Sequence, residues 1–305
     1  MSTSGCTVVV IALYGGPSLA ACLDVLGTQG ASCVVVLGPD MDDASSWRVR
    51  FPAMRFIDAG GESVPERRTR GIEAAETELV ALLEDSSLPQ GRWSAAIAEA
   101  FTLPAVVAVG GPVAIDVTLS YRQLALGCCE YGRFHPVAIH RLAAGRKRER
   151  SGAFDVPRLP GNNLAYRKSA LRGVHSEHRP LFEMETNAAL LAAGGRVLVH
   201  PDMVVDYRPG DDRGTELGGR FRHGRLYGGM RARNASASRR TWWLLKAFLL
   251  PWVLSGRGLR VMSAALPHER WWAVGAWVCC MQTAWAIGEA VGYLAGPGHT
   301  LDAWV

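Results

Sequence analysis

Along the first hundred residues the hydrophobic positions switch repeatedly between two periods. Thr7–Leu13 is an unbroken, β-branched-rich apolar run that stops at Tyr14-Gly15-Gly16-Pro17, the pattern of a strand buried on both faces and ended by a turn. In Ser18–Leu26 the apolar residues Leu19, Cys22, Leu23 and Leu26 recur at helical spacing, and Gly27 closes the segment. The same reading gives a strand over Ser32–Leu37 stopped by Gly38-Pro39, a third over Met54–Ile57, and a helix over Val64–Ala75 carrying Arg67, Arg68 and Arg70. A strand over Leu79–Leu83 then ends on Glu84-Asp85-Ser86, followed by a helix over Ser94–Phe101 and a strand over Ala105–Gly110. Alternation of this kind predicts an α/β fold, a mostly parallel sheet with helices on both faces.

The pattern loosens over 111–160, which holds the basic tract Arg146–Arg150, expected to be a loop. Beyond it a helix is expected from about Glu183 to Ala193 and a strand over Val197–His200. From Thr241 the character changes. Trp242–Leu254 is apolar but only thirteen residues long and interrupted by Lys246 and Pro251, which suits an interfacial or re-entrant helix. Trp271–Gly288 runs eighteen residues without a charge, a length that can cross a bilayer with Trp271–Trp272 at the headgroups; a buried helical hairpin is the other reading. These patterns divide the chain into a nucleotide-binding α/β domain, 1–240, and a membrane-associated helical segment, 241–305.

Charge sharpens that division. The net charge is +5, yet residues 207–270 alone hold thirteen Arg and Lys against four Asp and Glu. A basic block ahead of an apolar stretch points to an anionic membrane surface or a phosphorylated ligand, and not to nucleic acid. Seven cysteines include no CxxC pair, which argues against a zinc site or a disulfide framework and for reduced thiols in a cytoplasmic domain. The N-terminus lacks a basic segment before its apolar run and is taken for a first strand, not a signal peptide.

In an open α/β sheet, ligands bind beyond the carboxyl ends of the strands. Three strands end in suitable groups: Tyr14-Gly15-Gly16, Gly38-Pro39-Asp40 and Glu84-Asp85-Ser86. Paired carboxylates at a strand end are hard-oxygen donors for Mg2+ or Mn2+ with a bound diphosphate.

The order of four segments carries a resemblance. Ser63–Ala75 with its arginines leads into the strand ending Glu84-Asp85-Ser86; Pro160-Gly161-Asn162-Asn163-Leu164-Ala165-Tyr166-Arg167 follows; then Phe182-Glu183-Met184-Glu185 ahead of Gly194-Gly195; then the tail Gly288–Gly298. This series resembles family 2 glycosyltransferases, and the tail resembles a membrane-associated bacterial subgroup of them. The resemblance implies a GT-A fold, a divalent cation, a nucleotide-diphosphate sugar donor and an inverting single displacement. It implies transfer of one sugar to a lipid-linked or polysaccharide acceptor at the cytoplasmic membrane, with the catalytic domain on the cytoplasmic side. On it, Asp85 and Glu84 become the metal and diphosphate carboxylates. Tyr14, Gly15, Asp40, Arg67, Arg70, Arg222 and Arg225 fall on the donor side, and Asn162 and Asn163 on the acceptor side. Glu183 becomes the general base, with Glu185 its competitor. Ser86 stands where the family carries a second carboxylate and Tyr207 where many members carry His, and the processive QxxRW motif is absent. Ser86, Tyr207 and the acidic pair split by Met184 leave open a non-catalytic paralogue that binds a nucleotide sugar or scaffolds a membrane complex. A nucleotidyltransferase fits less well, because Tyr14-Gly15-Gly16-Pro17 holds no Lys or Arg.

Overall fold

The structure, a computed structural model, describes residues 5–39, 41, 44–175, 179–210, 214–233 and 235–300. In chain order the elements are β1 (Cys6–Ile11), α1 (Gly16–Thr28), β2 (Ser32–Leu37), α2 (Ala44–Arg50), β3 (Arg55–Asp58), α3 (Val64–Ala74), β4 (Leu79–Glu84), β5 (Ser87–Pro89), α4 (Trp93–Ala100), β6 (Val106–Gly110) and β7 (Val113–Ile115). They continue as α5 (Tyr121–Glu130), α6 (Pro136–Ala143), β8 (Phe154–Asp155), β9 (Asn163–Arg167), α7 (Lys168–Val174), α8 (Glu183–Ala192), β10 (Arg196–Val199) and β11 (Val205–Tyr207). The helices α9 (Glu216–Ala232), α10 (Ala237–Ala247), α11 (Leu250–Ala265) and α12 (Trp271–Ala295) complete the chain.

The apolar runs become the centre of an eight-stranded sheet of order β3-β2-β1-β4-β9-β6-β10-β8. Strands β3, β2, β1 and β4 are parallel neighbours, as are β6 and β10. Val8, Val9 and Val10 of β1 and Val35 and Val36 of β2 are wholly buried, which is why these strands read as continuous apolar runs. Strand β9 runs antiparallel to both β4 and β6, and β8 is an antiparallel edge. Because β9 is reversed, its first residues lie beside the carboxyl ends of its neighbours, with Leu83 opposite Asn163 and Gly110 opposite Leu164. At Asp85-Ser86 the chain leaves this sheet and continues as β5 in a second sheet, β5-β11-β7.

The chain forms two compact units that differ from the 1–240 and 241–305 division expected from composition. One comprises residues 1–114 and 138–210; the other comprises 115–137 and 211–304. The irregular 111–160 stretch thus supplies α5 to the helical unit. Leu124, Ala125 and Cys128 of α5 share a core with Met262 and Leu266 and with Val274, Val278 and Met281 of α12.

Within the helical unit α9 and α12 meet backbone to backbone. Gly224 and Gly228 face Trp285 and Glu289, while Gly288 and Gly292 face Phe221 and Arg225, and a methyl on any of the four would overlap the opposing backbone. Glu289 is buried here. It accepts from the Trp285 indole at 3.0 Å and from the Tyr293 hydroxyl, with Arg231 3.8 Å away.

Among the described residues no helix is long and apolar enough to cross a membrane, which corrects the expectation of a span from Trp271. The 25-residue α12 has sufficient length, but its glycines, with Gln282, Thr283 and Glu289, dilute its apolar character. Trp242–Leu254 is likewise not one helix: α10 stops at Ala247, Phe248–Leu249 form a turn, and Pro251 lies in the first turn of α11.

The close approach of α9 and α12 makes a direct prediction. Gly228→Val should lower the unfolding free energy in urea by about 3 kcal/mol, the upper range for overpacking a core. Gly219→Ala in the same helix meets open space and should stabilise by up to about 1 kcal/mol. Equal urea midpoints for the two variants would show that the helices can separate at no cost.

Candidate functional site

The site is built at the carboxyl ends of β1, β2 and β4, where the α/β unit gathers five charged side chains. Asp85 follows β4 and is wholly buried. Its backbone amide donates to the Ile11 carbonyl at 3.1 Å, and its Oδ2 accepts from the amides of Tyr14 at 2.9 Å and Gly15 at 2.8 Å. It therefore fixes the turn from β1 into α1. That turn needs glycine: Gly15 and Gly16 have φ of 66° and 46°, in the left-handed region. Burial pushes the Asp85 carboxyl above its ordinary range, opposed by the Gly15 and Tyr14 amides and the charge of Arg67.

Arg67, on α3, is buried beneath the same turn and donates to the Ala12 carbonyl at 2.7 Å. Burial pulls its guanidinium below the ordinary value, with Asp85 and Glu84 opposing. A Cβ on Gly38 would lie 2.5 Å from Arg67 Nη1, so the residue that follows β2 is small because Arg67 occupies the space. Asp40, expected to contact the base or ribose, lies outside the described residues.

Arg68 joins two carboxylates. Its Nη2 is 3.1 Å from Glu84 Oε1 and its Nη1 2.6 Å from Glu183 Oε2, with side-chain exposures of 3%, 9% and 27% for Arg68, Glu84 and Glu183. Glu183 opens α8. The segment before it is pinned to α3, where the Leu181 amide donates to the Pro65 carbonyl at 3.0 Å and the Thr69 hydroxyl to Arg179 at 2.6 Å. Gly161 lies against this pair, since a Cβ there would fall 3.0 Å from Glu183 Oε1 and 3.1 Å from Arg68 Nη2. Glu185 shares the first turn of α8 but is exposed.

Several buried polar atoms at this end have no hydrogen-bond partner: Asp85 Oδ1, Ser86 Oγ and Asn162 Oδ1 among them. Asn162 is anchored through its Nδ2, which donates to Ser87 Oγ at 3.0 Å. Unsatisfied buried oxygens are uncommon in folded proteins, and a group of hard oxygen donors beside a strand end is the kind of set a hard cation takes. Among the described residues no group of three or more His, Cys, Asp and Glu side chains is arranged to hold a metal. What this strand end offers a cation is the carboxylates of Asp85 and Glu84 with the neutral oxygens of Ser86 and Asn162.

The structure thus brings Tyr14, Gly15, Arg67, Glu84, Asp85, Asn162 and Glu183 to one end of the sheet. Other expected positions have separate commitments. Asn163 accepts from the Trp93 indole at 2.8 Å and donates to the Pro112 and Met203 carbonyls at 3.2 and 2.7 Å. Arg70 is part-exposed and pairs with Glu62. Arg222 and Arg225 belong to the helical unit, where Arg222 is exposed and Arg225 donates to the Gly296 carbonyl at 3.2 Å.

Arg68 and Gly161 had no assigned role in the sequence. A signal existed for Arg68: Val64, Arg68 and Ile72 are spaced by four, so this arginine shares the inward face of α3 with two apolar residues.

The mannosyltransferase PcManGT from Pyrobaculum calidifontis, solved with GDP-Man and Mn2+, matches with a TM-score of 0.54 at 17% identity, covering 95% of this chain and 87% of that one. The fold is GT-A-like. GalNAc-T7, solved with UDP, GalNAc and Mn2+, matches with a TM-score of 0.48 at 11% identity over 66% of this chain and 43% of that one. No protein-family model matches the sequence, and no curated protein does.

Arg68→Met should leave the Glu84 carboxylate buried without its cation and cost about 3–5 kcal/mol of stability. The double variant Arg68→Met, Glu84→Gln should recover a large part of that loss in a urea-unfolding cycle. Strict additivity of the two substitutions would mean that the pair is not energetically coupled.

Proposed function

We propose that this chain is an inverting glycosyltransferase. It moves one sugar from a nucleotide-diphosphate donor to a lipid-linked or cell-envelope acceptor, with its catalytic site on the cytoplasmic side of the membrane. The observation that carries the reading is the chain Glu84–Arg68–Glu183 beside the buried Asp85, whose Oδ1 lacks a partner. The GT-A-like fold supports it, as does a solved neighbour of that fold holding GDP-Man and Mn2+.

A divalent cation bound here would neutralise charge on the leaving diphosphate. Asp85, through Oδ1, and Glu84 would hold it, with the Ser86 hydroxyl as a further oxygen donor. The Tyr14–Gly15 turn, locked by Asp85 Oδ2, lines the donor side. Glu183 is the group placed to take the acceptor's proton. As the acceptor oxygen forms its bond to the anomeric carbon, the bond to the diphosphate breaks and its electron pair leaves with the phosphate. The acceptor O–H proton passes to a Glu183 oxygen, and attack from the face opposite the leaving group inverts the sugar. Arg68 fixes that carboxylate's orientation, one of its contacts to Glu183 being 2.6 Å long. Glu185 is exposed and has no comparable anchor.

Purified protein screened with nucleotide sugars should release nucleotide only when Mg2+ or Mn2+ is present. Absence of release with every donor and metal would favour the non-catalytic paralogue. Glu183→Gln should abolish release to acceptor while Glu185→Gln retains it, and the opposite outcome would reverse the assignment.

Asp85→Asn should reduce transfer by about a hundredfold or more, the cost of removing one electrostatic stabiliser. The fold should survive, because the amide oxygen still accepts from Tyr14 and Gly15. Stability supplies a second readout with a definite sign. A carboxyl whose folded-state value is raised contributes stability that is present below its unfolded pKa of 3.8 and is lost as pH rises through the folded value. Asp85→Asn should therefore melt higher than the parent at neutral pH, with the gain vanishing toward acid. Full activity in this variant, or a lower melting point at neutral pH, would remove Asp85 from the role given.

A further inference from the structure

The helical unit carries an apolar surface that its own core does not use. Across the α10–α11 turn the side chains of Trp242, Leu245, Phe248, Leu249 and Trp252 are 55%, 57%, 71%, 63% and 73% exposed. All five are exposed, while Ala247 of α10 is buried and Trp243 is partly buried, its ring 5.6 Å from that of Tyr293 in a tilted contact. Large exposed apolar patches mark interaction sites, and two tryptophans and a phenylalanine at a helix turn are the residue types that settle among lipid headgroups.

Charge identifies the partner. Between Glu216 and Glu269 the sequence has no Asp or Glu and ten Arg and Lys. Arg239, Arg240 and Lys246 on α10 and Arg257 and Arg260 on α11 are all exposed, and the Lys246 ammonium lies 4.5 Å above the Trp242 ring. A protein partner would have to be strongly acidic over the whole corner. An anionic bilayer meets both demands, with an apolar interior for the aromatic rings and a negative surface for the cations around them.

We infer that the α10–α11 corner is a membrane-binding surface that dips into the interface of an anionic bilayer without crossing it. It deepens the membrane location proposed above but does not depend on the transfer chemistry. Among the described residues no helix is suited to crossing. Shallow insertion of one helical corner, reinforced by surrounding cations, is the attachment that remains consistent with both observations.

The test uses the full chain with phosphatidylcholine vesicles, with and without phosphatidylglycerol, in sedimentation binding without donor or acceptor. The parent should bind the anionic vesicles and release as ionic strength rises. Phe248→Ser with Trp252→Ser should weaken binding about a hundredfold. Lys246→Ala with Arg257→Ala should weaken it about tenfold on anionic vesicles only. All four positions are exposed, so circular dichroism and melting should match the parent. Failure of the parent to bind anionic vesicles overturns the inference, as does undiminished binding by the Phe248, Trp252 variant. A parent that self-associates through these residues and ignores vesicles overturns it too, assigning the surface to a second copy of the chain. Each of these failures leaves nucleotide release untouched, so it is distinguishable from failure of the proposed reaction.

Discussion

Burial of two adjacent arginines under the carboxyl ends of β1, β2 and β4 is the constraint on which the α/β unit depends. A buried guanidinium must have partners, and those of Arg67 and Arg68 set much of the local structure. Arg67 holds the Ala12 carbonyl and forces Gly38 to be small; Arg68 draws together Glu84 at the end of β4 and Glu183 at the start of α8. The Arg68 contact ties the strand end at Glu84 to the helix start at Glu183, far apart in the chain. It also crowds Gly161, on the strap leading into β9, where a Cβ would fall 3.0 Å from Glu183 Oε1 and 3.1 Å from Arg68 Nη2. The charge of Arg67 also lies beside Asp85, which in turn closes the loop into α1.

The parallel half of the sheet was legible because burial on both faces leaves no polar alternation to confuse the reading. Ser32–Leu37 has its observed bounds, and β1, β3, β4 and β6 differ from expectation by a residue or two. Strand β9 was not legible. Asn163–Arg167 looks like a polar motif because Asn163 and Tyr166 carry hydrogen-bonding groups, yet both are buried and satisfied inside the sheet. Their partners, Trp93 and Asn187, lie far off in sequence, and nothing local announces them. The helix over α1 ran past Gly27, since a glycine costs only about 1 kcal/mol in a helix held by its buried Leu19, Leu23 and Leu26 face.

Site residues were legible in proportion to how local their cause was. Glu84 and Asp85 stood out as candidates because they end a strand, whereas Glu183 was named through the resemblance. Arg67 and Arg70 were placed on the donor side through the resemblance, whereas inward position depends on phase: Arg68 shares a face with Val64 and Ile72, and Arg70 points toward Glu62 and solvent. The boundary near residue 240 marked a real change in apolar content but not a change in packing. Glycines at 224, 228, 288 and 292 bind α9 to α12, so the helical unit begins well before its sequence turns apolar.

Ser86, which looks like a defect when set beside an acidic motif, follows from the charge already present. Glu84, Asp85 and Glu183 contribute three negative charges around Arg67 and Arg68, and Asp85 already has burial pushing its carboxyl upward. A carboxylate at position 86 would add a fourth, with no further arginine of α3 turned inward to balance it, because Arg70 is paired with Glu62. Like charges so close and so shielded from water would favour protonation of one of them, and a protonated carboxyl offers a cation no more than a hydroxyl does. A serine keeps an oxygen donor at the strand end at no electrostatic cost, and its Oγ is buried there without a hydrogen-bond partner. Its presence is therefore consistent with a cation site built on Asp85, in which the charge is set by two arginines and three carboxylates and the remaining oxygens are neutral.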